Sequence, residues 1–97
     1  MDLAELQRRN RSTYGPKDRA RGIDGTFMYF IEEVGELAEA IRQPDGHDLP
    51  GEFADCLAWL TSLANLAEVD LAAAIAAKYP AVCKSCGSDP CCCATKP

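Results

Sequence analysis

Positive charge is scarce in this chain: ten Lys and Arg stand against fifteen Asp and Glu, for a net charge of -5. General nucleic-acid binding needs a basic surface, so that class is excluded. The only histidine, His47, lies in a Gly/Asp/Pro turn with no nitrogen or sulfur partner at ligand spacing. It reads as a solvent-facing loop residue and not as a zinc ligand. No apolar run approaches the ~20 residues that cross a bilayer, and no charged segment followed by an apolar one opens the chain. The expectation is a cytoplasmic protein without a membrane partner. Cysteine is missing from the first half, and five of the six crowd into residues 83 to 93. Bridges there would staple only the tail, which argues against a secreted disulfide scaffold.

What is present describes a helical protein: 47% apolar, 26% charged, with few aromatics. Its 97 residues allow one domain near the lower end of what holds a core alone, and the cysteine tail leaves roughly 80 to build it. Self-association is therefore expected. Six of the ten bases (Arg8, Arg9, Arg11, Lys17, Arg19, Arg21) precede residue 22, while the acids concentrate after it. Such asymmetry suits either a positive arm beside an anionic ligand or a solvated basic helix.

Four helices are expected. The first runs over residues 2 to 11 from an Asp cap and ends near Ser12, where STYGPKDRARGIDG reads as a loop. A second starts near Asp24 to Thr26 and runs to about Gln43, with Phe27, Phe30, Ile31, Val34, Leu37, Ala38 and Ile41 as its apolar stripe. The third has Asp48 as N-cap and Pro50 in its first turn, and from Phe53 to Ala67 it is apolar nearly all round. A helix so covered must be buried from more than one side. Asp70 caps a fourth, LAAAIAAKY, that Pro80 ends. The fold class is thus all-α, a bundle of about four helices over residues 1–80, completed by oligomerisation and followed by a Cys-rich tail over 81–97.

Two acid pairs interrupt this pattern, Glu33 with Glu36 and Glu52 with Asp55, both at i, i+3 spacing. Each pair projects from one helix face. At roughly 100° per residue, Glu33 falls beside the apolar stripe with Glu36 close by, whereas Glu32 and Glu39 point away. Burying ionised carboxylates costs several kcal/mol unless they are paired, and from Phe27 to Leu71 only Arg42 and His47 offer countercharge. A divalent cation would neutralise all four, and oxygen-only ligation favours Mg²⁺ or Mn²⁺. Such a site keeps open positions for a substrate phosphate, which points to phosphoryl or nucleotidyl transfer to water.

The run EEVGELAEAI, then EFADCLAWLTSLANLAEVDLAAAIAAKY after a short turn, resembles the MazG-like all-α nucleoside triphosphate pyrophosphohydrolases, whose signature is E-E-x-x-E, a spacer, then E-x-x-D. Here the signature is Glu32, Glu33, Glu36, Glu52 and Asp55, and the likeness extends from about residue 26 to residue 79. The resemblance implies hydrolysis of a nucleoside triphosphate to monophosphate and pyrophosphate, with Mg²⁺ held by Glu33, Glu36, Glu52 and Asp55 and catalysis centred on Glu32, Glu33 and Glu36. It also implies a homodimer or homotetramer. Glu32 is an extra ligand or base, or simply meets water. Lys78, where similar proteins carry a base, would pair with phosphate, or else only complements the helix dipole. Trp59 would stack on the nucleobase or fill the core. A phosphoribosyl-ATP pyrophosphatase-like activity is the neighbouring alternative.

In the tail, Cys83 and Cys86 form a C-x-x-C followed by Gly, a knuckle that wraps thiolates around Zn²⁺, and Cys91 and Cys93 would complete four ligands. Redox-active dithiols and an uncommitted tail are the other readings. A helical dimerisation module with a zinc knuckle for a protein partner is the alternative to an enzyme. Cys56, alone in the third helix, reads as a buried apolar residue.

Overall fold

A computed structural model describes all 97 residues, Met1–Pro97. It contains three helices and no strand: α1 (Leu3–Arg42), α2 (Leu49–Leu66) and α3 (Leu71–Lys78). Each opens on an aspartate whose carboxylate accepts a backbone N–H: Asp2 from Glu5 at 2.8 Å, Asp48 from Gly51 at 3.2 Å and Asp70 from Ala73 at 3.1 Å. The caps at Asp48 and Asp70 stand where the sequence puts them.

The expected loop over 12–25 is not a loop. Helix continues from Leu3 through Pro16 and is interrupted only at Gly22, whose φ of 84° and ψ of 167° lie outside the helical region. That break divides α1 into a first arm before Gly22 and a second arm after it. A positive φ is strained for any residue with a Cβ, so glycine suits the break. Pro16 removes one helical N–H, at a cost of roughly 3 kcal/mol in an unsupported helix. Packing of the first arm on α2 offsets it. Gln7 donates from Nε2 to the Val69 carbonyl at 2.6 Å and accepts from the Leu71 N–H at 3.0 Å. Asn10 donates to the Ala58 carbonyl at 3.1 Å and to the Thr61 hydroxyl, and Asn65 donates to the Gln7 carbonyl at 3.1 Å.

The interior of the single chain is consequently polar. Gln7, Asn10, Asp18, Thr26, Thr61 and Ser62 are buried, and the only buried hydrophobic residues are Ala40 and Ala64. The large apolar side chains expected to form the core lie largely uncovered, with Phe27 48% exposed, Ile31 47% and Phe53 54%. Each half-covered side chain of this size leaves about 1 kcal/mol of burial unrealised. An apolar groove of about 450 Å³ runs between the second arm, α2 and α3, lined by Phe27, Leu60, Leu63 and Leu71. No single helix is long and apolar enough to cross a membrane, and α3 turns 101° from α2.

Candidate active site

The second arm of α1 and the start of α2 bring three of the signature acids together. Carboxylate oxygens of Glu33, Glu36 and Glu52 all lie within 4.8 Å of one another. On α1 the i, i+3 spacing puts two of them on one face. On α2 the Asp48 cap sets the start of the helix, and a Cβ at Gly51 would collide with that capping carboxylate, so glycine keeps the turn that presents Glu52.

Electrostatics mark the cluster as undercompensated. Burial pushes the Glu33 carboxyl up from an ordinary 4.5 to about 7, helped by the Glu36 carboxyl beside it and by the charges of Asp55 and Glu52. Glu52 is also raised, by burial first and then by Glu36 and Asp55. One oxygen of each, Oε2 of Glu33 and Oε2 of Glu52, is buried without a hydrogen-bond partner. Buried carboxylate oxygens with no donor and like charges for neighbours fit a bound divalent cation, which satisfies both deficits at once. Cys56, one turn beyond Glu52, has its thiol raised by burial and by the same acids, Glu33 foremost. A thiol held protonated is a poor nucleophile or ligand, consistent with a packing role for Cys56.

Asp55 stands outside the trio and lines an adjoining cavity of about 340 Å³ with Lys17, Arg21, Trp59 and Ser62. Trp59 stacks on Tyr29 with ring centroids 5.3 Å apart, and the Arg21 guanidinium lies 4.9 Å above the indole and 5.4 Å above the phenol ring. Asp18 Oδ1 at 3.1 Å and Thr26 Oγ1 at 3.2 Å accept from Arg21 and fix it at the end of the first arm. This places bases next to acids in one opening, an arrangement suited to an anionic ligand held partly by metal. Lys17 and Arg21 are named in the sequence only as part of a basic stretch. Their entry into the site depends on the helical first arm, which the Gly and Pro residues conceal. The excess of bases before residue 22 was the available signal.

Other expected residues lie apart. Glu32 is exposed and outside the trio. Lys78, the last residue of α3, is exposed and lines neither this cavity nor the larger one of about 660 Å³, which Arg8, Arg11 and Arg19 flank and no signature acid lines.

Residues 22–86 match the MazG nucleotide pyrophosphohydrolase domain. The chain belongs to that family. A dATP/dGTP diphosphohydrolase of Cyanophage S-2L is 40% identical over 76 residues, 78% of this chain and 69% of that relative. This MazG domain is therefore a nucleoside triphosphate pyrophosphohydrolase, as the residue pattern implies. In it the matched segment carries every signature acid, while Lys17 lies in the first arm, ahead of the match.

The tail of this MazG domain holds a second cluster. Sulfurs of Cys83, Cys86, Cys91 and Cys93 lie within 4.8 Å of one another, and all six cysteines are free. Backbone N–H groups of Cys86 and Ser85 lower the Cys83 thiol, and those of Cys92 and Ser88 bring Cys86 down to about 5. The neighbouring Cys91 side chain, with burial, pushes Cys93 up to about 11.

Proposed function

We propose that this chain hydrolyses purine deoxynucleoside triphosphates, with dATP and dGTP as substrates, to the monophosphate and pyrophosphate. The observation that carries the reading is the convergence of Glu33, Glu36 and Glu52 within 4.8 Å, with unpartnered buried oxygens on two of them. The substrate class follows the name of the phage relative. Glu33, Glu36 and Glu52, with Asp55 at the edge of the cavity, would hold Mg²⁺ or Mn²⁺. When bound, such a cation neutralises phosphate oxygens and acidifies a coordinated water.

The chain's own residues do the rest. Lys17 and Arg21 face Asp55 across the cavity and balance triphosphate charge the acids repel. Trp59, backed by Tyr29, offers a flat wall for the base. In the reaction one water oxygen bonds to the α-phosphorus, the bond from that phosphorus to the bridging oxygen breaks, and pyrophosphate leaves with a net proton released. In this reading Glu32, exposed and outside the trio, would take up that proton by way of solvent. Standing outside the trio gives it a lesser role than Glu33 or Glu36.

Self-association belongs to the same reading. The uncovered Phe27, Ile31, Phe53 and Leu60 and the apolar groove beside them are the surfaces a second copy covers, in a homodimer or homotetramer. Residues 1–80 form the enzymatic domain in this account, since the first arm supplies Lys17 and Arg21. Purified protein with Mg²⁺ or Mn²⁺ should release pyrophosphate from dATP and dGTP faster than from dCTP or dTTP. Failure to release pyrophosphate from any triphosphate, with Glu36→Gln leaving divalent-cation affinity unchanged, would end the proposal. A mass measurement in solution showing only monomer would remove the oligomer.

A further inference from the structure

The seventeen residues after Pro80 contain no helix or strand, and the large side chains of Tyr79, just before them, and Val82, at their start, are 52% and 43% exposed. No apolar core holds this segment. It is nevertheless folded back on itself: the Cys83 N–H donates to the Ser88 carbonyl at 2.9 Å and the Gly87 N–H donates to the Cys83 carbonyl at 2.9 Å. Gly87, at φ 73°, supplies the left-handed residue that closes the turn.

Three backbone N–H groups are aimed at sulfur. Ser85 donates to Cys83 Sγ at 3.4 Å, Cys92 to Cys86 Sγ at 3.4 Å and Cys93 to Cys91 Sγ at 3.3 Å. Donors directed at sulfur stabilise thiolates, which are what a metal needs. Zinc binds thiolate at about 2.3 Å, so a regular tetrahedron sets neighbouring sulfurs about 3.8 Å apart. Cys83 Sγ and Cys93 Sγ are 3.9 Å apart. The fifth tail cysteine is turned elsewhere, with Cys92 Sγ bonded to the Ser88 hydroxyl at 3.5 Å.

We infer that Cys83, Cys86, Cys91 and Cys93 form a closed tetrathiolate Zn²⁺ site that folds the tail, separate from the carboxylate centre. Four thiols become thiolates as the ion binds, four Zn–S bonds form and up to four protons are released. No position is left for water or substrate, so the site is structural. Lys84, between the first two ligands, donates to the Tyr79 hydroxyl at 3.1 Å and lies 4.7 Å above that ring, tying the knuckle to the C-cap of α3.

The test is metal content of the full chain, expressed with added zinc and dialysed against metal-free buffer. Wild-type protein should retain one zinc ion per chain. Cys83→Ser and Cys86→Ser should lose it, while Cys92→Ser, Cys56→Ser and Glu36→Gln keep it. Because a Ser variant can misfold, cobalt titration of metal-free wild type supplies a second readout: intense thiolate-to-cobalt absorption with tetrahedral d–d bands, saturating at one equivalent. Zinc absent from the wild type, a disulfide among the four thiols, zinc lost equally from Cys92→Ser, or cobalt spectra without thiolate character would each overturn the assignment. None of these readouts uses hydrolysis, so the metal site and the pyrophosphohydrolase reading fail separately.

Discussion

The carboxylate cluster and the sulfur cluster gather ligand atoms over similar distances by opposite means. Glu33, Glu36 and Glu52 stand on regular helices and converge because two helices pack; the four tail sulfurs stand on turns and converge because backbone N–H groups and a left-handed glycine fold the chain around them. Burial and the neighbouring acids push the Glu33 and Glu52 carboxyls up, and the tail's amides lower the Cys83 and Cys86 thiols. Rigid helices can hold like charges together against repulsion and leave the cluster open to a hard cation. A short irregular segment has no such rigidity and suits a soft ion that closes its shell.

Substitutions separate the two. Glu36→Gln should lower kcat on the order of 100–1,000-fold, the scale of losing one charge-stabilising group. Measured beside it under saturating Mg²⁺, Cys86→Ser should change kcat far less, and an equal loss would break the distinction. A smaller effect is expected in the neighbouring cavity. Trp59→Ala should raise KM about tenfold with a lesser change in kcat, as stacking energies of one to three kcal/mol imply. A change in kcat alone would take Trp59 away from the nucleobase.

The raised carboxyl of Glu33 sets a pH dependence. Between 4.5 and about 7 the folded, metal-free chain keeps a proton that the unfolded chain has released. Proton uptake on folding means that stability falls as pH rises through this window. The Tm of metal-free protein should therefore drop from pH 5 to pH 7.5, with the loss suppressed in Glu33→Gln and reversed by Mn²⁺. A Tm that climbs over the same range would contradict it. Smallest of all, Glu32→Gln should alter kcat by less than about tenfold, because Glu32 is exposed and stands outside the carboxylate trio.

Legibility in the sequence followed how local each feature is. The aspartate caps at 48 and 70 depend on one side chain and the next turn, and they stand where expected. Glu33 and Glu36 were visible as an i, i+3 pair because helical phase puts both on one face, whereas only Glu52 of the second pair joins them and Asp55 lines the neighbouring cavity. Gly15, Pro16, Gly22 and Gly25 instead predict a loop, and the tertiary hydrogen bonds that accompany the helical first arm, such as those of Gln7 and Asn10, are not local. Asp18 and Arg21 stayed hidden with it. The apolar stripes were legible as stripes, but their exposure in one chain was not, since periodicity says that a face wants cover without saying what covers it.

Gly22 has a consequence for how such an enzyme can be altered. The family match begins at this residue, whose positive φ also ends the first arm, and nothing lies within 4 Å of where its Cβ would be. The acids therefore lie on one side of a seam, while Lys17 and Arg21 lie on the other. The first arm is nonetheless built into the fold, with Gln7, Asn10 and Asp18 buried against the rest of the chain. On the proposed reading, exchanging Lys17 alone would change the countercharge offered to a ligand and leave in place both the buried contacts of the arm and the acids that would hold the metal.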